Sequence, residues 1–106
     1  MKKPRIKLMA EYYQLALWWA DDRVGSIDPA ELPISQLLRD DISSWAKKYH
    51  NSLNWDSPAE SVGFNETDRA AFEAEGRTLW QRLSRELPDY DVMYLSQEGR
   101  LLHKLP

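Results

Sequence analysis

Two pairs of adjacent aspartates are the residues of this chain whose type and spacing come nearest to acid–base chemistry. Asp21–Asp22 follows two tryptophans in the stretch LALWWADDRVG, and Asp40–Asp41 lies in SQLLRDDISS. Two carboxyl groups about 5–10 Å apart on either side of a cleft act as general acid and base in glycosidases. Adjacent side chains diverge on a strand or on a helix, and no residue pattern marks a cleft beside either pair. We therefore expect no catalytic carboxylates.

Other catalytic and metal-binding patterns are also missing from the sequence. His50 and His103 are the only histidines, and neither has a second histidine at the spacing of a metal site. The absence of cysteine excludes thiolate catalysis and cysteine-bound metals. No serine lies in a G-x-S-x-G motif, and no glycine-rich phosphate-binding loop occurs. The sequence predicts no enzyme, no metal and no cofactor; a small hydrolase with His50 or His103 beside a carboxylate in a deep pocket is a remote alternative.

The tryptophan pair beside the first acidic pair indicates binding. On an extended chain Trp18 and Trp19 point to opposite sides, so one ring can enter the core while the other stays near the surface. Protein interfaces concentrate their energy in aromatic anchors, and charged groups steer the approach. The predicted partner-binding residues are Glu11, Tyr13, Trp18, Trp19, Asp21 and Asp22, with Asp40, Asp41 and Trp55 as a second group. The alternative is that both rings are buried and the acids only begin a turn.

The N-terminal third predicts one strand followed by a turn. Apolar and polar residues alternate over RIKLMAEYY, residues 5–13, with the period of two that a half-buried strand shows. No turn signal fixes whether this strand continues or bulges into LALWW. Asp28 is placed to cap a short helical turn that has Pro29 at its first position and ends at Pro33.

Two amphipathic helices follow. Ser35 is the predicted N-cap of the first, whose apolar stripe of Leu38, Ile42, Trp45, Tyr49 and Leu53 runs to about residue 54. On this helix Asp40–Asp41 would lie near the N-terminal end, where negative charge is favoured without any partner. The second helix begins at about Thr67 and ends before Pro88. Gly76 lies within its apolar stripe, which predicts close approach of another backbone or of a large ring.

The C-terminal residues predict two strands around a turn. Val92–Leu95 is rich in strand formers, Gly99 suits a positive-φ turn position, and Arg100–Leu105 runs back. The order strand, helix, helix, strand, strand predicts an α+β fold in which two main helices pack on one face of a small antiparallel or mixed sheet. A chain of 106 residues has the size of a single domain, residues 1–106.

Charge and hydropathy restrict the class of partner. The net charge is −3, but residues 1–7 carry four bases and no acid, and residues 8–106 carry 10 bases and 17 acids. A body of that sign repels phosphate backbones, so we expect no nucleic acid partner.

No apolar run is long enough for a membrane span or a secretory signal. Together with the absence of cysteine, this predicts a cytoplasmic location.

Three stretches carry a resemblance to a known family. IKLMAEYYQLALWWADDRVGSIDPAELPIS, SSWAKKYHNSLNWDSPAESVGF and FEAEGRTLWQRLSREL resemble a family of small bacterial proteins of no established function. That family has a strand, a Leu-Trp element, an I-D-P turn and two helices, and the resemblance spans about residues 5–95. In size, acidity and aromatic content the chain is also similar to immunity proteins of bacterial toxin systems, including contact-dependent growth inhibition.

These observations predict a protein-binding module. The similarity to immunity proteins implies a cytoplasmic protein that occludes the active site of a basic toxin or nuclease, with carboxylates in place of phosphates. The alternative is a structural or regulatory homodimer that buries the same aromatic surface against a second copy.

Overall fold

The computed structural model describes residues 3–11, 15–52, 66–96 and 99–103. Strands β1 (Arg5–Glu11) and β2 (Leu15–Trp19) come first, followed by a 3-10 helix at Pro29–Glu31 and helices α1 (Gln36–Asn51) and α2 (Glu66–Glu86). Strands β3 (Asp91–Leu95) and β4 (Leu101–Leu102) complete the described elements. The α+β class is confirmed.

The four strands form one mixed sheet in the order β2-β1-β3-β4. β1 pairs antiparallel with β2 and parallel with β3, and β3 pairs antiparallel with β4. The register of β1 against β2 shifts between Leu8 and Glu11, which is a β-bulge. Beyond β2 the chain turns back, so that Ser26 bridges to Trp18 and covers the outer edge of β2.

The sequence pattern indicated one N-terminal strand where the structure has two. β2 is a separate strand, and Tyr12, Tyr13 and Gln14, which separate it from β1, contain no glycine, proline, asparagine or aspartate to indicate a turn. Of the predicted strand Arg100–Leu105, the described residues that pair with β3 are Leu101 and Leu102, which form β4. Residues 104–105 lie outside the described part of the chain.

Both helices pack against the same side of the sheet, which we call the inner face. Ile6 and Leu8 of β1 and Val92 and Tyr94 of β3 are buried there. The helices supply Leu38, Ile42, Trp45, Ala46, Phe72, Leu79, Trp80 and Leu83 to the same core cluster. Since all of these side chains come from one face of each element, the expected arrangement of two helices on one side of the sheet is confirmed.

The starts of α1 and of the 3-10 helix each depend on a side-chain cap. The Ser35 hydroxyl accepts a hydrogen bond from the backbone N–H of Leu38 (3.2 Å), as predicted, and donates one to the carboxylate of Glu86 (2.9 Å). Asp28 accepts from the N–H of Ala30 (2.9 Å) and starts the 3-10 helix at Pro29. α1 ends at Asn51, before the predicted residue 54.

Gly76 lies where α2 meets two aromatic rings. A Cβ atom at this position would lie 2.5 Å from the Tyr94 hydroxyl oxygen and 2.7 Å from Cζ2 of Trp45. Both rings are fully buried. The prediction that this glycine permits the approach of a large ring is therefore confirmed.

Candidate protein-binding surface

The two tryptophans of β2 lie on opposite faces of the sheet. Trp19 is the partner of Ile6 and packs against the core, whereas Trp18 is the partner of Lys7 and lies on the outer face, opposite the helices. The Trp18 indole N–H donates to the carbonyl of Met9 (2.9 Å), within the bulged part of β1. Both rings are partly exposed. The register places the two side chains on opposite faces of the sheet, and neither ring is fully buried.

The aspartates that follow β2 lie in a tight turn, residues 20–25, which we call the Asp21 turn. Its two ends are tied to the sheet, since Ala20 N–H donates to the carbonyl of Arg5 (2.9 Å) and Trp19 N–H to that of Gly25 (3.1 Å). Gly25 has φ of +103°, a conformation that favours glycine. The turn is thereby held against the N-terminal end of β1.

The Asp21 carboxylate is a structural group of this turn. It accepts hydrogen bonds from the backbone N–H of Arg23 (3.0 Å) and of Arg5 (3.3 Å), and from the Arg23 guanidinium through Nε (3.0 Å) and Nη2. The same guanidinium lies over the Trp19 ring, 3.5 Å from its centroid. Asp21 thus joins β1, the turn and the Trp19 ring, instead of presenting a free negative charge.

The Asp21 carboxyl is expected to titrate well below the ordinary aspartate range. Hydrogen bonds from the Arg23 side chain and then its backbone N–H lower the pKa. Because the folded pKa is the lower one, the stability that Asp21 contributes is complete above the unfolded value of about 3.9 and is lost as pH falls towards the folded value. An NMR titration of the carboxyl carbon measures this, and Arg23→Gln should return the pKa towards 3.9. A wild-type value near 3.9 would contradict these contacts.

Asp22 differs from its neighbour. It is exposed and accepts no hydrogen bond from any described residue, so its carboxylate remains available to a partner. Of the predicted pair, the structure therefore leaves one acid facing solvent and uses the other to hold the turn.

A depression open to solvent lies on the outer face of the sheet beside the Asp21 turn. Its lining includes Lys7 of β1, Trp18 of β2 and Met93 of β3, which the register places in one row across the sheet. The rest of the lining is Arg5, Trp19, Ala20, Asp21, Arg23, Val24, Gly25, Leu101 and His103. We call this the outer-face depression. It brings Trp18, Trp19 and Asp21 of the predicted set together.

The other predicted binding residues lie elsewhere or outside the described part of the chain. Asp41 pairs with Arg82 of α2 (2.6 Å), and Asp40 accepts from Gln36 (2.8 Å); both belong to α1, on the helical side of the molecule. Glu11 ends β1, six residues or roughly 20 Å of extended strand from the end that holds Asp21. Tyr13 and Trp55 lie outside the described residues.

Sequence reasoning missed most of the residues that line this depression, among them Lys7, Val24, Met93 and Leu101. The alternation of β1 indicated the outward direction of Lys7, but only the pairing of β1 with β3 reveals that Met93 lies beside it. The sequence indicated the exposure of Val24 less clearly than the outward direction of Lys7. It is an isolated valine between turn residues, where β-branched side chains have no packing role.

The two histidines lie in different parts of the described fold. His50 lies in the last turn of α1, and His103 lines the outer-face depression together with Asp21. The pKa of Asp21 is lowered far from neutrality, so this carboxylate is unsuited to general acid–base catalysis at neutral pH. Over the described residues, no three or more histidine or acidic side chains are grouped so that they could hold a metal ion.

Comparison with known proteins adds one finding. The sequence model of a family described as Serratia CdiI immunity protein-like matches residues 4–97, which includes both helices and β1 to β3. None of the curated proteins matches the chain. In the described part of the chain, neither helix has the length and apolar character needed to cross a membrane.

Proposed function

The chain belongs to the Serratia CdiI immunity protein-like family, and on that premise we propose that it is an immunity protein that neutralises a toxin domain by binding it. The family match over residues 4–97 is the observation that carries this proposal. The action is occlusion of the toxin's active site by a protein surface, without catalysis by the immunity protein and without a cofactor. It takes place in the cytoplasm, where the absence of cysteine suits a reducing environment.

The partner that suits this chain is a basic toxin domain, such as a nuclease. Residues 8–106 carry seven more acids than bases, and a net charge of this kind speeds the approach of a partner of opposite sign. An exposed carboxylate such as that of Asp22 would occupy a position that a phosphate takes in a nuclease. The Asp21 carboxylate holds the turn in its conformation and offers no free charge to the toxin, because it is already paired within the turn.

The proposed contact surface is centred on β2 and the Asp21 turn. Trp18 and Trp19 supply the aromatic anchors, and Asp22 supplies the free charge. Glu11, Tyr13, Asp40, Asp41 and Trp55 stay predictions of the wider contact area. Partly exposed aromatic rings beside a rigid turn are the kind of feature that supplies most of the binding energy in protein interfaces.

Charge reversal at Asp22 tests the electrostatic part of this proposal. We expect Asp22→Lys to slow association with the cognate toxin domain by about tenfold at low salt, with a smaller effect at high salt. Stopped-flow association rates at several salt concentrations measure it. Folding should be unchanged, because no described residue donates a hydrogen bond to Asp22.

The matched control is Glu31→Lys, which makes the same charge change at an exposed residue of the 3-10 helix. It should slow association much less than Asp22→Lys. Equal effects of the two variants would show that the Asp21 turn is not part of the contact and that only the overall charge of the chain affects the association rate. Failure of the unmodified chain to bind or inhibit the toxin domain would contradict the proposed function itself.

A further inference from the structure

Two of the three large apolar side chains that are exposed in the described part of the chain line the outer-face depression. Three large apolar side chains are exposed there and on the helical side: Val24 at 91%, Leu37 at 67% and Leu101 at 42%. Val24 and Leu101 line the same outer-face depression, together with Trp18. Both described α-helices pack on the inner face, so neither covers this depression.

Val24 is presented by a rigid support. The Asp21 turn that carries it is fixed by the Asp21–Arg23 ion pair and by backbone hydrogen bonds to both ends of the turn. A valine with this exposure contributes almost nothing to the core. Because the backbone of the turn is already held in place, it loses little conformational freedom when a partner covers Val24, which favours binding.

The charges around the depression are not those of the molecule as a whole. Arg5 pairs with Asp91 (3.0 Å) and Arg23 with Asp21. Lys7 lies between Trp18 and Met93 in the row across the sheet, and no acidic side chain among the described residues pairs with it. Among the described residues that line the depression, Lys7 is therefore the charged group without an ion-pair partner, and it suits a carboxylate on the toxin.

We propose that the outer-face depression is the surface on which the toxin domain docks, with an apolar toxin side chain against Val24, Trp18 and Leu101 and a toxin carboxylate at Lys7. This rests on the proposed function and adds the chemistry of the contact. The negative charge of the body speeds the encounter over a distance, whereas the cation at Lys7 selects the orientation in which the toxin is finally held.

Single substitutions on the two sides of the molecule test the docking surface. Val24→Asp and Lys7→Glu should each weaken binding of the purified toxin domain to the full chain by at least tenfold, measured by titration calorimetry. The matched controls are Leu37→Asp and Lys47→Glu, which make the same changes at exposed residues of α1. Both controls should bind within about twofold of the unmodified chain. Circular dichroism spectra establish that each variant is folded.

The outcomes separate this inference from the proposed function. If the unmodified chain binds the toxin and the α1 variants lose affinity while Val24→Asp and Lys7→Glu do not, docking is on the helical side and the inference is wrong. If the unmodified chain does not bind the toxin, the proposed function fails. If the free chain forms a dimer that Val24→Asp dissociates, a second copy covers this face and the inference is overturned.

Discussion

Replacement of Trp45 with alanine is expected to lower the free energy of unfolding by about 3–5 kcal/mol, since the removal of a buried aromatic side chain leaves a cavity in the core. The Trp45 ring is fully buried and stacks on Phe72, with ring centroids 4.5 Å apart and planes within 8°. Its indole N–H also donates to the carbonyl of Phe72 (3.0 Å). For a domain whose total stability is about 5–15 kcal/mol, this is a large fraction, and urea unfolding followed by circular dichroism measures it.

Trp18→Ala is the control that links this prediction to function. The Trp18 ring is only partly buried on the outer face, so less apolar surface returns to water and the expected loss is about 1–2 kcal/mol. We expect Trp45→Ala to weaken folding, and Trp18→Ala to weaken toxin binding in a chain that remains folded. Equal losses of stability from the two substitutions would contradict the assignment of Trp45 to the core and Trp18 to the surface.

Gly76→Ala is expected to lower the free energy of unfolding by about 2–3 kcal/mol, although alanine is the better helix former. On helix propensity alone the substitution would stabilise α2 by about 1 kcal/mol. The new methyl group, however, would lie 2.5 Å from the Tyr94 hydroxyl oxygen and 2.7 Å from Cζ2 of Trp45. Excess volume in a packed core costs about 1–3 kcal/mol and more where the neighbours cannot move.

Two further variants isolate the contact at Gly76. Ala74→Gly changes an exposed residue of the same helix and should cost about 1 kcal/mol through propensity alone. Tyr94→Phe removes the closest atom, so Gly76→Ala should cost less in that background, as a double-mutant cycle would show. Stabilisation by Gly76→Ala in the unmodified background would mean that the Tyr94 and Trp45 rings do not contact α2 closely at this position.

The local features of the fold were predictable from the sequence because they depend on neighbouring residues. The 3.6-residue spacing of Leu38, Ile42 and Trp45 indicated α1, and Ser35 marked where it begins. Gly76 stood out within the apolar stripe of α2. The parallel pairing of β1 with β3 was not predictable in the same way, since it joins residues more than 80 positions apart and no local pattern encodes that partner.

The binding surface was predictable only in part for a related reason. The alternation of β2 correctly divided Trp18 from Trp19 between the two faces. The Asp21 carboxylate accepts hydrogen bonds from three groups. Two of these, the guanidinium and the backbone N–H of Arg23, lie close to Asp21 in sequence. The third, the N–H of Arg5, reaches Asp21 only because β1 and β2 pair. The depression that unites Trp18, Met93 and Leu101 exists only once the sheet is assembled.

The position of β1 in the middle of the sheet has a consequence for synthesis of the chain. β1 is flanked by β2 and by β3, and β3 is made only after both described α-helices. Until then the N-terminal residues have only a two-stranded hairpin, which is marginally stable in water. A nascent chain therefore has neither a complete sheet nor a complete outer face until β3 has been made.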